Sequence, residues 1–118
     1  MIPNVNPFGV GIYAIHNTNN GAVYIGQTLT SFRLRWQQHV HALDTGKHPN
    51  KALQADWMKD GREVFEFIPL EPALRRPEHE KKHYLEQREA AWMEHFEKSG
   101  AVCYNATRFN RVLRMKLN

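Results

Sequence analysis

The sequence has a single cysteine, Cys103, which excludes an intramolecular disulfide and suits a reducing compartment. A lone cysteine of this kind reads as a small buried hydrophobe. No apolar run approaches the roughly 18 residues of a membrane span. The opening MIPNVNPFGV has neither the charged start nor the apolar centre of a secretory signal. Membrane and secreted classes are therefore not expected, and the cytoplasm is (the nucleoid or a phage-infected cell). Repeats and low-complexity tracts are also missing. The 118 residues make room for one core but not for two.

Acidic residues are missing from one segment only. Residues 107–118 carry Arg108, Arg111, Arg114 and Lys116 and no acid. Without those four, the remaining twelve basic side chains match twelve acidic ones, so the net charge of +4 belongs to this strip. A basic strip on a neutral body suits a polyanion, nucleic acid before membrane. The division expected is a domain over residues 1–106 and a basic tail over 107–118. Three of the tail's arginines are three apart and would form one ridge if helical.

Hydrophobic periodicity then orders the elements. Gly11 to Asn17 and Ala22 to Gly26 read as two strands joined at Asn20-Gly21, the strongest short hairpin signal. A two-residue turn there sets Tyr24 against Asn17 and Thr28 against Tyr13. Tyr13 and Tyr24 then share one face, as they also do if a wider loop sets them directly opposite one another. A one-residue slip would separate them, and the sequence leaves both open. Gly26, without a side chain, permits a close approach. Phe32 to Thr45 reads as a helix capped by Thr30 or Ser31, with Phe32, Trp36, Val40 and Leu43 inward. Arg35 and His39 flank that stripe one turn apart. His48-Pro49-Asn50 opens a second helix with Leu53 and Trp57 inward and Gly61 at its end. Val64 to Leu70 reads as a third strand, with Pro69 near a sheet edge. A last helix runs from about Glu78 or Lys82 to Lys98.

In that last helix Leu85, Trp92 and Phe96 form the apolar stripe, and Glu89 falls inside it. A carboxylate there is costly without a partner, and Arg88 projects elsewhere. A divalent cation or an arginine from another element would satisfy it. Taken singly, Glu89 reads as half of an ion pair, Arg35 as a snorkelling side chain and His39 as a half-buried ring. His79-Glu80-Lys81-Lys82-His83 matches the H-E-x-x-H zinc pattern. Both histidines lie roughly 120–160° from the stripe by helical arithmetic, so they read as a solvated face.

In order, the chain shows Gly11-Ile12-Tyr13, Tyr24-Ile25-Gly26, Arg35 with His39 four later, His48, Glu89 in REAAWM and Asn105 in CYNAT. This series resembles the GIY-YIG endonuclease superfamily, especially the catalytic domains of phage-type homing endonucleases, over about Gly9 to Ala106. The resemblance implies a small α/β (α+β) domain, a three-stranded antiparallel sheet flanked by helices. It also implies divalent-metal-dependent hydrolysis of phosphodiester bonds in DNA, RNA not being excluded. On the matching positions, Glu89 is the metal-binding carboxylate and Tyr13 the tyrosine that helps take a proton from water. Tyr24 is the second active-site tyrosine and Arg35 the phosphate contact. His39 and His48 are supporting polar positions, and Asn105 is a late organising residue.

The residue types suit that chemistry. Phosphoryl transfer develops negative charge that preorganised positive charge stabilises. A single acidic ligand leaves most of the metal's shell to water, which suits Mg²⁺ (or Mn²⁺), one ion per site. Tyr13 acts as base only where its phenolate is favoured; otherwise it positions water and His39 relays the proton. The stretch from Tyr24 to Arg35 is a residue longer than in some relatives. Homing enzymes of this type carry a linker and a separate DNA-recognition domain, whereas this chain ends thirteen residues after Asn105. A freestanding nuclease of low intrinsic sequence specificity is therefore expected, with phosphate contacts from the tail. A homodimer or a specificity partner would supply further choice.

Overall fold

The computed structural model describes residues 6–73 and 78–105. Strands Gly11–Asn17 (β1) and Val23–Thr28 (β2) are followed by helices Phe32–Asp44 (α1) and Lys51–Asp60 (α2). After a single 3-10 turn, Arg62–Val64, come strand Phe65–Pro72 (β3) and helix Glu78–Lys98 (α3). The strands form one three-stranded antiparallel sheet, as the resemblance implies, and their order is β2-β1-β3. No described helix is long and apolar enough to cross a membrane. The tail residues Arg108, Arg111, Arg114 and Lys116 lie outside the described residues, as does the boundary expected after residue 106.

Helices cover both faces of the sheet. Tyr13 and Ile15 pack with Phe32 and Leu43 of α1 and Leu53 and Trp57 of α2. Ile12, Ala14, Val23 and Ile25 pack with Leu85 of α3, with Trp92 and Phe96 partly buried against them. A central strand buried on both sides needs an apolar run rather than alternation, which is why Gly11–Ile15 is buried throughout. Cys103 is buried, as its type predicts, and burial pushes its thiol up to about 11.

The expected two-residue turn does not form. Tyr13 pairs with Gly26 and Ile15 with Tyr24, so residues 18–21 make a four-residue loop. Two side chains build it: Asn17 Oδ1 accepts from the Asn19 N–H and Asn20 Oδ1 from the Ala22 N–H. Helix α2 then holds the loop open. Asp60 accepts from Asn17 and Asn19, and Asp56 accepts from Asn20 and from the Tyr104 hydroxyl. The shift is by two residues, so the expected shared face of Tyr13 and Tyr24 survives.

Ser31 caps α1, its hydroxyl accepting from the Leu34 N–H. His39 does not merely flank the α1 stripe. It is 2% exposed, deeper than the half-buried Trp36 and Val40. The third strand begins one residue later than Val64 and ends two later than Leu70; pairing shifts between Ile12 and Tyr13 and leaves Leu70 without a partner. Pro69 is buried at that bulge of an edge strand, where a missing N–H costs little. Gly11 enters β1 at φ +151°, with its missing Cβ only 2.0 Å from the Glu71 carbonyl oxygen.

Glu71 clamps α3 to this bulge. Its carboxylate accepts from the Tyr84 hydroxyl at 2.8 Å, Arg88 Nε at 2.9 Å and Trp92 Nε1 at 3.0 Å. Arg88 thus serves β3, not its neighbour Glu89. Burial pushes the Glu71 carboxyl up, but these donors outweigh it and hold it below its ordinary value. The clamp's contribution is therefore complete above the ordinary carboxylate range and fades as pH falls through the lowered value. Glu71→Ala is expected to cost about 2 kcal/mol near neutrality. Urea unfolding at pH 7 and pH 3 checks it: the gap between variant and wild type should narrow in acid.

Candidate active site

β1, β2, α1 and the loop before α2 deliver chemical groups to the α1 side of the sheet, and α3 delivers one from the other side. β1 places Tyr13, 0% exposed, with its phenol lying over Gly26 of β2. A Cβ at Gly26 would sit 2.3 Å from both the Tyr13 hydroxyl and its ring carbon. The sequence leaves open what approaches Gly26, and the structure answers: the other tyrosine. Phe67 of β3 stacks on the far side of the Tyr13 ring, centroids 4.7 Å apart.

The Tyr13 hydroxyl meets His39 Nε2 at 2.5 Å, and His39 Nδ1 meets His48 Nε2 at 2.8 Å. The two imidazoles stack at 5.1 Å, and Tyr24 packs edge-on against both, at 5.3 and 5.8 Å. His48, also 2% exposed, receives the Asn50 backbone N–H on Nδ1. Burial, the Arg35 charge and His48 pull His39 down to about 3, so the ring is neutral at any ordinary pH. Burial and Arg35 also lower His48.

Arg35 is half-buried and bonds Gln38, with no carboxylate paired to it among the described residues. Its charge reaches Tyr13, Tyr24, His39 and His48. Burial raises both phenols above their ordinary value; Tyr24 and Glu89 push Tyr13 further up, and Arg35 opposes. A guanidinium with no acid to neutralise it among the described residues, beside one buried and one partly buried phenol, suits an anion.

Glu89 comes from α3, on the opposite face, and its charge reaches both phenols. It is half-buried, as its place in the stripe predicts. Its expected partner from another element is a neutral one: Gln27 Nε2 donates to Oε2 at 3.0 Å. No described lysine or arginine pairs with it, and burial raises its carboxyl above the ordinary value. Gln27 escaped sequence reasoning, although strand parity with Ile25 places it on the α3 face. Among the described residues no three His, Cys, Asp or Glu side chains gather around one point. A lone, partly desolvated carboxylate without a counter-charge fits a cation that keeps most of its water.

Asn105 sits on the outer edge of β2. Its amide accepts from the Ile25 N–H at 2.7 Å and donates to the Ile25 carbonyl at 2.5 Å. It thereby imitates a neighbouring strand and holds the residue next to Tyr24. His79 and His83 stand apart from all of this: both are exposed, and His79 lies 3.8 Å from Glu80. A groove of about 530 Å³ lined by Phe8, Phe32, Arg33, Trp36, Phe65 and Phe67 contains none of the expected site residues.

The family model described as the GIY-YIG catalytic domain matches residues 9–105. The intron-associated endonuclease 1 of Enterobacteria phage T4 is 38% identical over 68 residues, 54% of this chain. The match covers 27% of that protein's length. The solved catalytic domain of homing endonuclease I-TevI superposes with a TM-score of 0.66 at 33% identity, covering 80% of this chain and 96% of that one. A mutant of the catalytic domain of intron endonuclease I-TevI gives 0.67 at 31% identity, covering 80% and 90%.

Proposed function

The chain belongs to the family of GIY-YIG catalytic domains, and from that premise we propose that it is a divalent-metal-dependent DNA endonuclease of low intrinsic sequence specificity. The observation that carries the reading is that Tyr13 and Tyr24, on neighbouring strands, each lie within electrostatic reach of both Arg35 of α1 and Glu89 of α3. Residues that satisfied only their own folding needs would be paired within the protein. Arg35 has no acid, and Glu89 has no base, among the described residues.

In this reading Arg35 grips the non-bridging oxygens of the scissile phosphate with its planar fork. Tyr13 and Tyr24 line the approach of the attacking water, and Tyr13, once its own proton has left to solvent, takes one from that water. Water's oxygen then bonds phosphorus as the bond to the leaving sugar oxygen breaks. Glu89, oriented by Gln27, would hold a Mg²⁺ or Mn²⁺ ion. That ion, when bound, would supply positive charge for the phosphate and the leaving oxygen. Asn105 keeps β2, and with it Tyr24, in place. One guanidinium aimed at a phosphate reads no base edges, which supports low intrinsic specificity.

A panel of plasmid, duplex, branched and single-stranded DNA with matched RNA, each with Mg²⁺, Mn²⁺ or EDTA, tests the proposal. Metal-dependent cleavage of at least one DNA is expected. Binding with no cleavage in any metal would leave a nucleic-acid-binding domain of the same fold.

Arg35→Lys keeps the charge and loses the fork. A drop of roughly tenfold or more in cleavage rate is expected, measured on the preferred substrate under single-turnover conditions. A near-normal rate would make Arg35 a structural residue.

A further inference from the structure

We propose that His48 and His39 form a hydrogen-bond wire of fixed direction, anchored on the Asn50 backbone N–H, that makes His39 a permanent donor to the Tyr13 oxygen. His39 is then a positioning residue and does not accept the proton of the attacking water. The inference rests on the nuclease reading for its consequence, but not for its geometry.

The direction follows from one group that cannot change its role. A backbone N–H donates and never accepts. The Asn50 N–H lies 3.0 Å from His48 Nδ1, so that nitrogen carries no hydrogen. A neutral His48 therefore carries its hydrogen on Nε2. That hydrogen faces His39 Nδ1 at 2.8 Å, which must accept it. A neutral His39 then carries its own hydrogen on Nε2, aimed at the Tyr13 oxygen 2.5 Å away. The reversed wire would set a hydrogen on His48 Nδ1 against the Asn50 N–H. Two donors would then meet 3.0 Å apart against a ring only 2% exposed, too close for anything to separate them. Burial and the nearby Arg35 keep both rings neutral, so neither imidazole escapes the constraint by gaining a second proton.

The anchor is itself fixed. Asn50 caps α2, its side chain accepting from the Leu53 N–H and donating to the Tyr104 carbonyl. The His48 N–H donates to Gln54 of the same helix. Pro49 between them restricts the backbone. The start of α2 thus sets the tautomer of a ring on α1.

The consequence falls on Tyr13. Its oxygen already receives the His39 hydrogen, so the phenol's own hydrogen points elsewhere. When that hydrogen leaves to solvent, the phenolate keeps the His39 donor and the Arg35 charge. It then takes a proton from the attacking water, whose oxygen bonds phosphorus while the bond to the leaving oxygen breaks. The leaving oxygen takes its proton from solvent. His39 gains and loses nothing.

Long-range proton–nitrogen NMR of the histidine rings in the ¹⁵N-labelled full chain, without DNA, reads the tautomers directly. Both His39 and His48 should show the Nε2–H pattern at pH 7; an Nδ1–H or cationic pattern at either overturns the wire. This measurement is independent of cleavage, so a chain that cuts no DNA would sink the nuclease proposal and leave the tautomers standing. For an active chain, His39→Gln retains an N–H donor at the same reach and His39→Leu does not. The glutamine variant should stay within about tenfold of wild type, and leucine should lose about a hundredfold or more. Equal inactivity of two folded variants would assign the proton to His39 instead.

Discussion

Glu89→Gln is expected to slow DNA cleavage by about 10³-fold or more, the scale of losing a main electrostatic element of a site, while DNA binding changes little. The shape of the side chain is kept. The amide oxygen of the variant still accepts from Gln27, which donates to Oε2 in the native protein. What is lost is a charge that burial already disfavours. A carboxyl raised above its ordinary value opposes folding once it ionises, so the metal-free variant should be as stable as wild type at pH 7, or more so. Added Mg²⁺ or Mn²⁺ should raise the melting temperature of wild type and not of the variant. Thermal shifts with and without metal, beside single-turnover cleavage, separate the outcomes. A variant that cuts within tenfold of wild type would remove Glu89 from the site and with it the metal proposal.

Gly26→Ala is expected to cost at least about a hundredfold in cleavage, because a methyl group there occupies the place of a donor-bearing catalytic group. The new Cβ would lie 2.3 Å from the Tyr13 hydroxyl. Tyr13 has no easy retreat: Phe67 stacks on its ring and His39 meets its oxygen. Overpacking of this kind costs about 1–3 kcal/mol of stability, so the variant should remain folded at room temperature. The double variant Gly26→Ala with Tyr13→Phe is informative. Removing the hydroxyl should relieve part of the stability loss and restore no cleavage. Circular dichroism melts and cleavage rates of the two variants check both halves. Full activity in Gly26→Ala would mean that Tyr13 moves freely and is not held by its neighbours.

Much of this site is legible in the chain because its rules are local. The same-face placement of Tyr13 and Tyr24 follows from strand parity. The inward Glu89 follows from helical spacing against Leu85 and Trp92, and the ends of α1 and α2 from Ser31, Asn50 and Gly61. These survive because a change of loop width by two residues leaves parity untouched. The width itself was not legible. It rests on Asp56 and Asp60 of α2 reaching the asparagines of the hairpin loop, elements some forty residues apart.

The sequence by itself determined most of the residues each element turns inward, His39 of α1 being the exception, and so most of the side chains available for chemistry. Only the tertiary structure decided their partners: His39 buried between Tyr13 and His48, Gln27 rather than an arginine on Glu89, and Arg88 drawn away to Glu71. Periodicity is a property of one segment, and it fixes a direction. A hydrogen bond between segments depends on how both are packed, and no single segment carries that information.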